Sequence, residues 1–311
     1  MAELNPDVVV ACDGPVQFGQ VEQLVDLATL TLGSSGAITA AAAASLGLRV
    51  AVCAVVGDDE LGETTTAMLA ATGVDVSGVV RRPGMRTGMT VVLTRPDGDR
   101  ALLTFPGTMG ELSVGDVDLD RLGAARHVHV SSYFLQAVLQ ADLPAIFGHA
   151  RALGATTSVD PGWDPADAWT SLVPILEHVD VLLPNAAECE RVAGALGRPG
   201  SVVDAARAVQ ACGPTVVVKL GAEGALAVSD GGVVRVNARA VEPVDTTGAG
   251  DNFDAGYLSA MIAGRPIAEA VALGVACGTV SVGGWGGTGA LASATQADEL
   301  ASALTAVNVH I

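Results

Sequence analysis

This sequence predicts an α/β fold built on a mostly parallel, doubly wound sheet, and three observations carry the prediction. Short apolar runs alternate with helix-length segments along the whole chain, the order expected of strand–helix–strand units. The runs are continuous rather than alternating in polarity, as in Asp7 to Cys12 (DVVVAC) and Arg49 to Val56 (RVAVCAVV), which suits strands covered on both faces. Glycine is abundant, with 38 among 311 residues, and aromatic residues make up 3%, a composition for tight strand-to-helix turns and close helix-on-sheet packing. With 50% hydrophobic residues and no visible repeat or linker, residues 1–311 read as a single domain.

Taken in order, the first apolar run (Asp7 to Cys12) reads as a buried parallel strand ending at Asp13-Gly14. Ligands of doubly wound sheets sit at the carboxyl ends of strands, so Asp13 is placed to meet one; the same residue also serves as an ordinary turn aspartate before glycine. Gly33-Ser34-Ser35-Gly36 leads into an alanine-rich helix over 37–46, too short to span a bilayer. Arg49 to Val56 is the next strand and Glu60 to Thr72 the next helix. Gly88 to Thr94 and Ala101 to Phe105 read as a hairpin turning at Asp97-Gly98, with Arg100 and Thr108 at its edge as candidates for substrate contact. His127 to Val130 and Thr156 to Asp160 are strands on either side of a helix over 136–153, bent at Pro144. His127 and His129 lack acidic partners at ligand spacing and read as core histidines. Val179 to Leu183 is a strand, and beyond it Asn185 and Glu188 sit three apart on one helix face, the capping-box spacing. Thr215 to Leu220 is followed by the glycine-flanked loop Gly221 to Gly224 and by two short strands near 225–229 and 233–237. A helix over Pro266 to Gly278 and a glycine-rich loop, Val282 to Ala290, come last.

The chain is organised around Val244 to Gly264 (VDTTGAGDNFDAGYLSAMIAG). A polar turn leads through Gly248-Ala249-Gly250 to Asp251 and an apolar helix. Glycine lets a ligand approach the backbone, and the unpaired N–H groups and dipole of a helix N-terminus favour an anion, phosphate above all. A carboxylate beside such a hole is electrostatically costly unless it has a task. Taking the proton of a hydroxyl that attacks phosphorus is one; a helix-favoured aspartate after a glycine turn is the plainer alternative.

The formal charge of −18 argues against nucleic-acid and anionic-membrane partners. Lys219 is the only lysine among sixteen Lys and Arg, and no GxxxxGK[ST] string occurs, so a P-loop is excluded and phosphates would rest on backbone N–H groups, metal ions and arginine. A GxGxxG string after the first strand is also missing, which removes the dinucleotide-binding oxidoreductase reading. The five cysteines (12, 53, 189, 212 and 277) show no CxxC or metal spacing and fit reduced thiols, with Cys12 and Cys53 in the core. No basic-then-apolar leader opens the chain, so a cytoplasmic location is expected.

The string Asp245, Thr246, Gly248 to Asp251 and Ala255 to Leu258 resembles the C-terminal signature of the ribokinase-like (PfkB) family of carbohydrate kinases. Gly33 to Ala37 with the later Gly57-Asp58-Asp59 resembles its N-terminal signature, and Asn185-x-x-Glu188 its Asn-x-x-Glu motif. The resemblance covers essentially the whole chain. It implies a ribokinase-like sheet with a small β lid near 14–32 and 84–109. It implies ATP-dependent phosphorylation of a small sugar or sugar-like alcohol, with a nucleoside kinase as the alternative and a catalytically idle sugar sensor further off. Asp251 would be the base, with Gly248, Ala249 and Gly250 as the anion hole. Asp13, Gly33, Gly36 and Ile38 would face the acceptor, and Lys219, Gly221 and Gly224 the nucleotide. Asn185 and Glu188 would organise Mg2+ through water, Asp245 and Thr247 a monovalent cation such as K+. A homodimer through the lid would fit. Ile38 departs from the pattern: the family usually has asparagine there, so the acceptor's identity stays open.

Overall fold

The computed structural model describes residues 1–95 and 100–309. The expected turn at Asp97-Gly98 lies outside the described residues.

The chain begins β1 (Pro6–Ala11), β2 (Leu27–Leu32), α1 (Ser35–Ser45), β3 (Ala51–Gly57), α2 (Glu60–Ala71), β4 (Asp75–Arg82), β5 (Met89–Thr94) and β6 (Arg100–Phe105). It continues α3 (Leu119–Gly123), β7 (His127–Val130), α4 (Leu143–Ala152), β8 (Thr156–Val159), β9 (Val181–Leu182), α5 (Ala186–Ala195), α6 (Val202–Gln210) and β10 (Thr215–Lys219). The last part is β11 (Ala225–Ser229), β12 (Gly232–Val236), α7 (Ala249–Ile262), α8 (Ile267–Ser281), α9 (Ala294–Ser302) and β13 (Ala306–Val309).

A seven-stranded sheet runs β13-β12-β11-β10-β9-β8-β7, parallel from β7 to β10 and antiparallel beyond. The parallel pair β3–β4 extends this arrangement through the first residues of the chain: Ala2 N–H donates to the Cys53 carbonyl, and Ser131 N–H to that of Met1. Alternation along β10 shows why helices cover both faces. Val216 and Val218 join one core with Ile146 and Phe147 of α4 and Val192 of α5; Val217 joins another with Phe253 and Tyr257 of α7 and Val271 of α8. Burying each such side chain contributes about 1.5–3 kcal/mol. No helix among the described residues is long and apolar enough to cross a membrane.

Three expectations are corrected. The first apolar run is not a strand of the large sheet. It is central in a separate four-stranded sheet, order β2-β1-β5-β6, antiparallel to β2 and parallel to β5. Its continuous Val-Val-Val run is compatible with either place, so pattern alone misplaced it. The helix expected over 136–153 is shorter. Two 3-10 turns, Tyr133–Leu135 and Gln140–Asp142, precede α4, and Pro144 stands in its first turn, where a missing N–H costs nothing. Cys12 and Cys53 are half-buried rather than fully in the core.

Small residues set the spacing around α7. Alanines are the best helix formers, and in α1 they also allow close packing: Ala42 and Ala43 lie against Ala255 of α7. On α7, Gly256 has no Cβ because one would lie 2.7 Å from the Leu273 carbonyl of α8. The N-terminus of α7 is thereby held between α1 and the large sheet.

Candidate functional site at the start of helix α7

Gly248 caps α7 with a left-handed backbone (φ 73°), where a side chain would be strained and a Cβ would also meet Gly287 of the glycine-rich loop. The turn before it is clamped. Asp245 accepts from the Thr247 N–H (2.9 Å) and hydroxyl (2.8 Å) with one oxygen and from Gly286 N–H (2.9 Å) with the other. Thr247 Oγ1 accepts in turn from Arg100 of β6 (3.0 Å). Asp245 and Thr247 thus tie the turn to the glycine-rich loop and to the small sheet. Ala249 N–H already donates to the Thr246 carbonyl (3.3 Å), so the three N–H groups of the expected anion hole are not equivalent.

Asp251 stands in the first turn of α7 and opens onto a cavity of about 250 Å3. Ser35 of α1 donates its hydroxyl to Asp251 Oδ1. Burial, and then the charge of Asp160, push the Asp251 carboxyl up to about 7. The rest of the cavity comes from distant segments: Glu3, Asn5 and Asp7; Ser34 and Ile38; Thr90, Arg100, Leu102 and Thr104 of the small sheet; Met109 and Leu135. Asp7 is buried and its carboxyl is pushed to about 7 by burial, with Glu3 adding and Arg100 opposing.

Beneath α7 lies a cluster of buried carboxylates around one cation. Lys219 Nζ donates to Asp160 Oδ2 at 2.8 Å and to Asp254 Oδ2 at 3.1 Å. The two acids hold the ammonium charged against its burial. The same cation holds the Asp160 carboxyl down, whereas burial raises that of Asp254 well above the usual range. Glu188 is pushed to about 7 by burial and by Asp160. The stem of Lys219 borders a second, more open cavity of about 410 Å3, shared with Asn185, Ala186, Glu190, Gly221, Glu223 and Arg235.

The expected site residues fall into three groups. Asp251, Gly248 and Ile38 line the first cavity; Asn185, Lys219 and Gly221 line the second; Gly250 borders Lys219, whose Nζ lies 3.6 Å from where its Cβ would be. Asn185 and Glu188 do form the capping box: Asn185 N–H donates to Glu188 Oε2 (2.8 Å) and Glu188 N–H to Asn185 Oδ1 (2.9 Å). Others are displaced. Asp13 is exposed in the loop after β1 and lies outside the first cavity, which opens at the other end of that strand. Gly33 and Gly36 line neither cavity: they make room for Asp7 and for Ala2. Gly224 (φ 97°) turns the chain from β10 to β11, where a Cβ would strike the Val236 carbonyl. The ammonium of Lys219 is paired with the carboxylates of Asp160 and Asp254. Among the described residues no three His, Cys, Asp or Glu side chains are grouped to hold a metal by themselves.

Sequence reasoning missed Glu3, Asn5, Asp7, Ser35 and Asp254. A signal for two of them was present: Asn5 and Asp7, two apart on an extended stretch, share a face.

Comparison with known proteins bears on the family and the fold. The model of the pfkB family carbohydrate kinase matches residues 3–293. A 2-dehydro-3-deoxygluconokinase of Thermoproteus tenax is 32% identical over 273 residues, 85% of this chain and 83% of the relative. A ribokinase of Haemophilus influenzae is 28% identical over 255 residues, 81% of each. The crystal structure of ribokinase from Thermotoga maritima superposes with a TM-score of 0.82 over 97% of both chains at 24% identity, and shows the ribokinase-like fold. The chain belongs to the pfkB family of carbohydrate kinases, phosphotransferases that act on hydroxyl groups.

Proposed function

We propose that this protein phosphorylates a hydroxyl of a small sugar or sugar-like acceptor at the expense of ATP, with Asp251 as the base. The observation that carries the reading is Asp251 itself: a carboxylate with its pKa near neutrality, at a helix N-terminus, facing a cavity. The acceptor enters the first cavity, where Asn5 and Asp7 hold its hydroxyls; Asp251 takes the proton of the attacking one. The N–H groups of Gly248 and Gly250 face the charge on the transferred group, that of Ala249 being held by the Thr246 carbonyl. The second cavity, with its glycine-flanked loop at Gly221, holds the nucleotide. When bound, ATP supplies the phosphoryl group and Mg2+ offsets the phosphate charge. Asn185 and Glu188 suit Mg2+ held through water, because Asn185 borders the cavity and Glu188 already spends one oxygen on its cap. The loop carboxylate Asp245 with Thr247 is the place for K+. Ribokinase-like neighbours were solved with ATP and Mg2+, and with ribose and ATP.

One observation favours a nucleoside as the second reading. Ile38, Leu102, Met109 and Leu135 give the cavity an apolar wall that a base would fill. We further propose that residues 14–32 and 84–109 act as a lid. Leu103 and Phe105, on one face of the edge strand β6, are 61% and 50% exposed, an apolar strip suited to a homodimer, which light scattering would measure. A cytoplasmic location agrees with this chemistry.

A kinase screen with ATP and Mg2+ over ribose, 2-dehydro-3-deoxygluconate and adenosine tests the function. Asp251→Asn is expected to lower kcat by about 10²–10⁴-fold while keeping the fold. Near-normal turnover by the folded variant would remove Asp251 from its role.

A further inference from the structure

We propose that Ser35 is the positioning residue of the base: its hydroxyl holds Oδ1 of Asp251 and leaves Oδ2 to receive the acceptor's proton. This rests on the reading of Asp251 given above. Ser35 is the first residue of α1, crosses to α7, and shares the acceptor cavity with Asp251.

Its own place is fixed through two other segments, the N-terminal one and residues 132–136. Ser35 N–H donates to Glu3 Oε1 (3.1 Å), and the hydroxyl of neighbouring Ser34 donates to the Glu3 carbonyl. Glu3, buried at 3% exposure, is held by the Ser132 hydroxyl on Oε1 (3.1 Å) and by Gln136 Nε2 on Oε2 (3.1 Å). Removing the Ser35 hydroxyl therefore changes the contact to Asp251 while its main chain stays anchored.

The need for such a donor follows from the surroundings of Asp251. Glu3 faces it from the N-terminal segment and Asp160 from the end of β8, with Asp254 one turn on in its own helix; Lys219 of β10 is the cation that acts on it most strongly, and Arg100 of β6 lines the same cavity. Burial and the neighbouring acids favour a proton on Asp251, whereas the Ser35 hydroxyl and Lys219 favour the anion. A neutral donor keeps the base ionised without setting a second cation against the proton it must accept. In the step itself the acceptor's proton goes to Oδ2, its oxygen electron pair forms the bond to phosphorus, and the bond to the leaving diphosphate breaks toward that group.

The test is a 13C titration of the Asp251 carboxyl in the free protein, its signal identified by loss in Asp251→Asn. It is paired with kcat and KM against whichever of ribose, 2-dehydro-3-deoxygluconate and adenosine is turned over. In Ser35→Ala the carboxyl is expected to titrate about one unit higher. At pH 7 kcat should fall about tenfold and recover in part by pH 9, with KM within about twofold. Ser35→Cys fills the same space with a poorer donor and should move the titration the same way, so a misfolded Ala variant would not rescue the idea. An unmoved titration with an equal loss at every pH would reduce Ser35 to a structural role. A raised KM with intact kcat would make it an acceptor contact instead. Turnover retained by Asp251→Asn would overturn the base reading; a dead Asp251→Asn beside an unmoved Ser35→Ala titration would overturn this inference alone.

Discussion

The cavity at Asp251 and the cavity at Lys219 are built in opposite ways. The first draws its walls from segments far apart in the chain, residues 3–7, 34–38, 90–92, 100–109 and 247–251, and its acids Glu3 and Asp7 are buried. The second is made from neighbouring stretches, 185–190 and 219–223 with Val202 and Arg235, and its acids Glu190 and Glu223 are exposed. Buried charge is weakly screened, so the first cavity controls protonation; the second presents backbone and solvated charge and is suited to a ligand that brings its own counter-ions. On the proposed function, the difference separates where chemistry is set from where a cosubstrate is held. Lys219 belongs to both, its stem to the second and its charge to the acids beneath the first.

That double membership is where the comparison breaks most easily. Lys219→Met would leave Asp160 and Asp254, 6% and 0% exposed, as buried carboxylates without their cation. A loss of about 3–5 kcal/mol in unfolding free energy is expected, the usual cost of orphaning one partner of a buried pair. Denaturant melts measure it. A loss under 1 kcal/mol would mean that the acids are satisfied by protons alone.

The same contrast explains what was legible in the sequence. The second cavity is local, so short strings marked its walls: Asn185 and Gly221 both line it, whereas Glu188 does not. The start of α7 lies where expected, because glycines, a polar turn and an apolar helix are consecutive. The first cavity was hardly legible. Ser35 meets Asp251 across 216 positions, and Arg100 meets Thr247 across 147. No periodicity encodes such pairings; they exist only once α1 crosses α7 and the small sheet folds over both. Asp13 was chosen because the rule for doubly wound sheets points to the carboxyl end of a strand, and β1 belongs to the other sheet.

A second prediction sharpens the electrostatic side. Asp7, Glu188 and Asp251 each have the carboxyl pushed to about 7 in the folded chain. Their unfolded values lie near 4, so between about pH 4 and 7 the folded state holds protons that the unfolded state has released. Stability therefore falls as pH rises through this window, by on the order of a few kcal/mol, and is largest on the acid side until the salt-bridged Asp160 begins to protonate. Thermal melts at pH 5 and pH 8 check the sign: the melting temperature should be several degrees higher at pH 5. A flat or inverted profile would show that these three acids are ionised in the folded protein at neutral pH.

The smallest effects separate the two ends of β1. Asp7 lies in the first cavity, near Asn5 Nδ2 (3.3 Å), and Gly33 has no Cβ because one would strike its carboxylate. Asp13, six residues on, is exposed and stands outside that cavity. A hydrogen bond to a charged group is worth about 1.5–3 kcal/mol, so Asp7→Asn should lower kcat/KM for the acceptor by roughly 10–100-fold. The loss should fall mainly on KM if Asp7 grips hydroxyls equally in ground and transition states. Asp13→Asn should change neither constant by more than about twofold, as expected of an exposed loop residue. KM for ATP should stay level in both, because neither residue borders the second cavity. If Asp13→Asn instead costs as much as Asp7→Asn, the loop after β1 folds inward when acceptor binds and brings Asp13 to the substrate. The acceptor site would then include both ends of the strand, and its walls as seen without ligand would be incomplete.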